Sequence, residues 1–212
     1  MPRKKILVSA LVLVACYASV EGLRFLTGPK GKFVMDRRMS SRAKGDLSAP
    51  LWIVEYIDFQ CVTCGLASEV VREYLEKYPS KIYLQIRFRP LILTHEFALK
   101  SAIYAECAAS QGKFWPFYEI LFKRQKDWVS SSSPDDLFHS YAKEIGVNVK
   151  KLDACLRDEA VKKRVIAEKD EAMDLGVKGT PTFFMNGKMV VGLEALKGEL
   201  EAAFPEKKEG GS

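Results

Sequence analysis

Glu55-Tyr56-Ile57-Asp58-Phe59-Gln60-Cys61-Val62-Thr63-Cys64 is the stretch whose reading decides the fold of this chain. Two patterns meet in it. Upstream, Leu51 to Ile57 is apolar on both alternating faces, which predicts a strand buried in the middle of a sheet. Downstream, Leu66, Val70, Val71, Tyr74, Leu75 and Tyr78 recur at helical spacing and Pro79 closes the run, which predicts a helix over 61–78. Two thiols one helical turn apart therefore stand at the start of a helix, Cys61 leading and Cys64 one turn inside. The spacing alone is shared by zinc half-sites and redox dithiols. Zinc needs two more ligands, yet Cys107 and Cys155 are isolated and the only histidines are His95 and His139.

Further along, Ile82 to Phe88 is rich in strand formers and Pro90 closes it. A helical stretch follows. Residues 96–110 are alanine-rich, Phe114 to Phe122 is dense in aromatics, and Ser133-Pro134-Asp135-Asp136 is a helix start with a serine cap, a first-turn proline and acids against the dipole. Thr94 is a second candidate cap, with His95 behind it at the mouth of this block, in a structural or rim role or, as the alternative, lining the face that carries the two thiols. Gly146 and Gly176 are placed to stop helices. Strand signals then return at Thr182–Met185 and Met189–Val191 around an Asn186-Gly187 turn, a hairpin pattern. Leu193 to Phe204 is a final amphipathic helix.

This order, strand–helix–strand, helical block, strand–strand–helix, resembles the DsbA-like branch of the thioredoxin superfamily. The resemblance rests on Glu55-x-x-x-Phe59-x-Cys61-x-x-Cys64, on Gln111-Gly112-Lys113-Phe114-Trp115, and on Gly179-Thr180-Pro181-Thr182-Phe183-Phe184. It implies an α/β fold: a thioredoxin-like domain from residues 49–92 and 177–204, interrupted by an all-helical insertion over 93–176. Residues 1–20 would be a leader, 21–48 a linker with Phe33-Val34-Met35 as a possible short strand, and 205–212 a polar tail. Order is expected from about Pro50.

The chemistry follows from the placement. Unpaired N–H groups and the positive end of the helix dipole lower the pKa of a thiol at a helix start, so Cys61 is the expected nucleophile. Cys64, shielded one turn inside, is the expected resolving thiol of a mixed disulfide. Glu55 shares a strand face with Ile53 and Ile57, pointing inward, where a carboxyl without a partner tends to stay neutral. The family resemblance gives an acid at this place the role of exchanging protons with Cys64; the alternative is a carboxylate reaching solvent at a sheet edge or pairing with a lysine. The resemblance also implies a cis Thr180-Pro181 bond packed against the dithiol, with the Thr180 backbone available to an extended client segment. Val62-Thr63 departs from the proline and histidine common between the cysteines of strong oxidants in the family, and so implies a weaker stabilisation of the reduced form.

Composition bounds the rest. The chain has 212 residues, 48% hydrophobic and 28% charged, with a net charge of +6. Arg3, Lys4 and Lys5 supply three positive charges, and the segment from Arg24 to Lys44 is strongly basic as well. No basic stripe with interleaved aromatics exists, which argues against nucleic acid as a partner. The three N-terminal cations precede an apolar run from Ile6 to Val20, short for a membrane span, which needs about 20 residues, but suited to a secretory signal. Leu13-Val14-Ala15-Cys16 resembles a bacterial lipobox with Cys16 as the lipidated residue; cleavage after Ala18 and an uncleaved anchor are the alternatives. Export implies an oxidising compartment. Beyond Cys16 four cysteines remain, enough for two pairs: the dithiol, and Cys107 with Cys155 as a structural disulfide, the alternative being two buried free thiols.

The expected activity is therefore thiol–disulfide exchange on unfolded or cysteine-containing exported proteins. It would run in the periplasm or at the outer face of the cytoplasmic membrane, with no metal or cofactor beyond the Cys61–Cys64 disulfide. A membrane redox partner would recycle the dithiol, and the protein would be a monomer; a dedicated isomerase of the dimeric type is disfavoured, because residues 21–48 are too few for a separate dimerisation domain. Oxidation is the favoured direction. A reductase or isomerase role, a redox-inert client-binding module and a zinc-stabilised structural protein are the rivals.

Overall fold

The computed structural model describes residues 40–205 of the chain. The expected leader over 1–20 with Cys16, residues 21–39 of the expected linker with Phe33-Val34-Met35, and residues 206–212 of the expected tail lie outside the described residues.

Five strands form one mixed sheet: β1 (Ala43–Gly45), β2 (Leu51–Ile57), β3 (Ile82–Phe88), β4 (Thr182–Met185) and β5 (Lys188–Val191), in the order β1-β3-β2-β4-β5. The doubly apolar run 51–57 is the central strand, parallel to β3 and antiparallel to β4. Helix α1 (Val62–Lys77) makes the parallel crossover from β2 to β3, as a parallel pair requires. Between β3 and β4 run α2 (Ala98–Ala109), α3 (Phe114–Lys123), α4 (Gln125–Val129), α5 (Pro134–Glu144), α6 (Val149–Leu156) and α7 (Glu159–Asp174); α8 (Leu193–Ala203) ends the described fold. Asn186 (φ 48°) and Gly187 (φ 86°) supply the two positive φ angles that a tight β4–β5 hairpin needs. The Asn186 side chain fastens this hairpin to β2, accepting from Trp52 N at 2.8 Å and donating to Pro50 O at 3.0 Å.

The two sheet faces bury different partners. Ile53, Ile57, Leu84, Ile86, Phe88 and Phe183 join Cys64, Ala67 and Val71 of α1, Leu196 and Leu200 of α8, and the aromatics of α2, α3 and α5 in one continuous core. Val54, Tyr56 and Phe184 pack on the other face under Ala172, Leu175 and Val177. The helical segment is thus not a separate body. Its first helices extend the main core, and the end of α7 covers the opposite face of the sheet.

Three expectations are corrected. Part of the linker over 21–48 belongs to the fold: residues 43–45 form an edge strand on β3, where Gly45 (φ 92°) leaves no room for a Cβ, which would sit 2.0 Å from Ile82 O. Arg42 beside it is buried, paired through both terminal guanidinium nitrogens with buried Glu168, and stacked 4.3 Å over the Phe88 ring. A second carboxylate, Glu106, lies 3.5 Å from Arg42 Nε, and these long-range pairings, which local sequence does not reveal, hold the strand in place. Ser133 stands at the cap of α5, but its side chain makes no capping bond; Asp136 N binds the Ser133 carbonyl instead. Thr94 is not a cap: α2 starts four residues later, with Phe97 at the cap position.

Candidate active site

β2 delivers the site. Its last residue, Ile57, leads into a turn in which Asp58 Oδ1 accepts from Gln60 N at 2.8 Å and the Asp58 carbonyl accepts from Cys61 N at 3.1 Å. This turn places Cys61 at the N-cap of α1 with no side-chain capping bond, so its sulfur is left for other partners. Cys61 is half-buried and Cys64 has no exposed surface; both are free thiols. The loop before β4 closes the other side. Its Thr180-Pro181 peptide is cis, and Cys61 Sγ lies 3.3 Å from the Thr180 carbonyl oxygen, to which the thiol donates.

The two thiols are driven apart in acidity. Cys61 is lowered to about 6, chiefly by the hydrogen bond from the Cys64 thiol; burial opposes this, and the Thr180 side chain and the Cys64 backbone N–H add to it. Cys64 is pushed well above the ordinary thiol range by burial and by the Cys61 sulfur, with a contribution from Glu55. The helix start acts here as a single backbone donor, and the neighbouring thiol is the stronger lever.

Glu55 is wholly buried and neither carboxyl oxygen has a hydrogen-bond partner. On its face of the sheet it stands between Ile86 of β3 and Phe183 of β4. Burial raises its pKa to about 8. Tyr118 of α3 also lies within the field of both Glu55 and Cys64, so the helical segment forms part of the wall beneath the dithiol. Cys107 of α2 and Cys155 of α6 are joined in a disulfide. That bond leaves neither able to ligate zinc, and among the described residues no group of three or more His, Cys, Asp or Glu gathers as a metal site.

Four residues around the dithiol escaped the sequence reading. Gln125 Nε2 of α4 donates to the carbonyls of Phe59 (2.7 Å) and Cys61 (3.1 Å), and Gln60 Oε1 accepts from Phe97 N at 2.7 Å. Tyr118 is the third. None of these three carries a sequence signal, since each acts across a long-range contact. Asp58 did carry one: an acid three residues before the helix cap Cys61 favours a turn through its side chain. His95, expected at the rim, binds Asp58 through Nδ1 at 2.8 Å.

A family model described as thioredoxin matches residues 38–202. The chain belongs to the thioredoxin family. Among solved structures it is similar to alpha-DsbA1 of Wolbachia pipientis (TM-score 0.65, 23% identity, 76% of this chain and 89% of that one). It is also similar to oxidised BdbD of Bacillus subtilis (TM-score 0.64, 20% identity, 76% and 91%). At these identities the likeness is one of fold, and the fold of this thioredoxin-family chain is that of the DsbA-like thiol–disulfide oxidoreductases. Among curated proteins, the Na(+)/H(+) antiporter NhaA 3 of Salinispora tropica is 37% identical over 164 residues, 76% of this chain but 24% of the antiporter. The chain spans about a quarter of the length of the curated relatives it matches. Among the described residues no helix is long and apolar enough to cross a membrane.

Proposed function

We propose that this thioredoxin-family protein catalyses disulfide exchange in exported client proteins through Cys61 and Cys64, and that it runs mainly as an oxidase. The observation that carries the reading is the pairing of a half-exposed Cys61, lowered to about 6, with a fully buried Cys64 that is pushed upward. In the oxidised enzyme a client thiolate attacks Cys61 Sγ, the Cys61–Cys64 bond breaks, and the electron pair leaves on Cys64. Cys64 then needs a proton, and neutral Glu55 below it is a donor with a suitable pKa. A second client thiolate attacks the client sulfur of the mixed disulfide and releases Cys61 as a stable thiolate. Two electrons pass from client to enzyme, and the client leaves as a disulfide. The Thr180 backbone beside Cys61 offers an edge for an extended client segment.

Stabilising the Cys61 thiolate stabilises the reduced enzyme and so makes its disulfide an oxidant. Val62 and Thr63 bring no positive charge to that sulfur, so a potential of roughly −120 to −270 mV is expected, between the extremes of the superfamily. The apolar leader, with Cys16 as a lipidation candidate, supports an exported site of action. There a membrane partner would reoxidise the dithiol. Measuring the Cys61–Cys64 potential, together with the redox state of the protein in cells, tests the direction. An oxidase is found as the disulfide and speeds oxidation of a reduced, unfolded protein. A mostly reduced dithiol with a potential at the thioredoxin end assigns the protein to the reductive side.

A further inference from the structure

The exchange steps above make no use of Asp58, whose side chain has no exposed surface. Its Oδ1 accepts from Gln60 N, and its Oδ2 accepts from Leu91 N at 2.9 Å and from His95 Nδ1 at 2.8 Å. His95 Nδ1 and Leu91 N share one carboxylate oxygen of Asp58. One carboxylate thus ties the turn that holds Cys61 to the Leu91–His95 segment of the β3–α2 loop. The His95 ring is 26% exposed, at the surface end of the pair.

A buried negative charge three residues from a thiolate should be a handicap, because like charges at short range in a poorly solvated site repel strongly. Asp58 indeed acts on Cys61 against the pull of Cys64. The charged groups facing Asp58 are His95 from the β3–α2 loop, Arg89 from the end of β3, and the Cys61 sulfur from the start of α1. Arg89 is half-buried, with Nε on the Val177 carbonyl at 3.3 Å, so its guanidinium is directed to a backbone group. His95 is the group hydrogen-bonded to the carboxylate.

We propose that Asp58 and His95 are positioning residues that tune the reactivity of Cys61, the carboxylate opposing a negative sulfur and the imidazole offsetting the carboxylate. The pair would set how oxidising the dithiol is without touching the client. This rests on Cys61 being the nucleophile. It differs from a merely structural role in sign. Loosening the loop would expose the sulfur and speed its reaction, whichever member of the pair is removed. A counterweight moves Cys61 in opposite directions.

The test is the pH profile of iodoacetamide alkylation of Cys61 in the reduced full chain. Asp58→Asn should shift the midpoint down and speed alkylation at pH 5 by about threefold or more, and His95→Ala should shift it up and slow alkylation by a similar factor. In the double variant, removing His95 should no longer slow the reaction. If Asp58→Asn does not fold, His95→Ala decides alone, since an unchanged or lower midpoint overturns the proposal. Shifts in the same direction for both variants overturn it as well. Failure of the underlying reading looks different: the parent would show a Cys61 midpoint like that of a free thiol, or Cys61→Ser would keep its turnover.

Discussion

Glu55 of β2 and Cys64 of α1 are both fully buried, and a negative charge on Glu55 opposes one on the Cys64 sulfur. Neither carboxyl oxygen has a hydrogen-bond partner, and the flanking positions on the sheet are Ile86 and Phe183. Such an arrangement is costly for a carboxylate and tolerable for a neutral acid. It is therefore a place where a proton can be kept until Cys64 becomes an anion.

Glu55→Gln should slow exchange while keeping the fold. In the folded protein the Glu55 pKa is raised to about 8 from the ordinary 4.5 of a glutamate. Folding therefore holds a proton that the unfolded chain gives up, and this contribution is present below about pH 4.5 and is lost as pH rises toward 8. Wild type should lose stability across that window, and Glu55→Gln should lose less, becoming the more stable protein by about 1 kcal/mol or more at pH 8. Urea melts of both proteins at pH 5 and pH 8 check the sign. Identical pH dependence of melts and of kinetics in the two proteins would remove both the burial cost and the proton-shuttle role.

Cys61 should alkylate with a midpoint near its lowered value of about 6, and before Cys64 at every pH. Because the Cys64 thiol is the main donor to the Cys61 sulfur, Cys64→Ala should raise that midpoint, and Cys64→Ser, which keeps an O–H donor, should raise it less. Both variants should accumulate mixed disulfides with clients, and Cys61→Ser should be inert. Mass mapping of the alkylated cysteines tests the order; faster labelling of Cys64 would reverse the assigned roles.

The Cys107–Cys155 disulfide fastens α2 to α6 across a sequence separation of 48. In the chain-entropy model a loop of this length is worth about 4 kcal/mol, an upper value in practice. The Cys107→Ala/Cys155→Ala double variant should melt earlier by that order and keep its exchange rate well below its melting temperature, since neither sulfur reaches the dithiol. A stability unchanged within 1 kcal/mol would show that packing alone holds the two helices.

Arg42→Ala should be among the most damaging substitutions outside the active site. It leaves Glu168 buried without its cation, and that same carboxylate accepts from Phe88 N at 2.9 Å. Breaking a buried pair from one side typically costs about 3–5 kcal/mol. Arg42→Met/Glu168→Gln should recover much of the loss, because it removes both charges, keeps apolar volume over Phe88 and keeps an oxygen acceptor for Phe88 N. Denaturant midpoints of the three proteins would measure this coupling, and an innocuous Arg42→Ala would mean that residues 40–45 contribute little to the fold.

Local pattern was sufficient wherever the chemistry is local. The doubly apolar run 51–57 could only be a central strand, Asn186-Gly187 could only be a tight turn, and Cys61 could only stand at a helix start, because backbone propensity and periodicity act over a few residues. The inward direction of Glu55 also followed from strand alternation alone. What local pattern could not supply is whatever depends on segments distant in sequence meeting in space. The edge strand at 43–45 exists because Arg42 finds Glu168 across 126 positions. The acidity of Cys61 owes more to Thr180, 119 positions away, than to the backbone N–H of the helix that bears it. Asp58 and His95, 37 positions apart, become partners only when the β3–α2 loop folds back over the turn. Tertiary structure decided these points because burial and charge coupling depend on distance in space, and distance in space is set by the packed sheet and helices together.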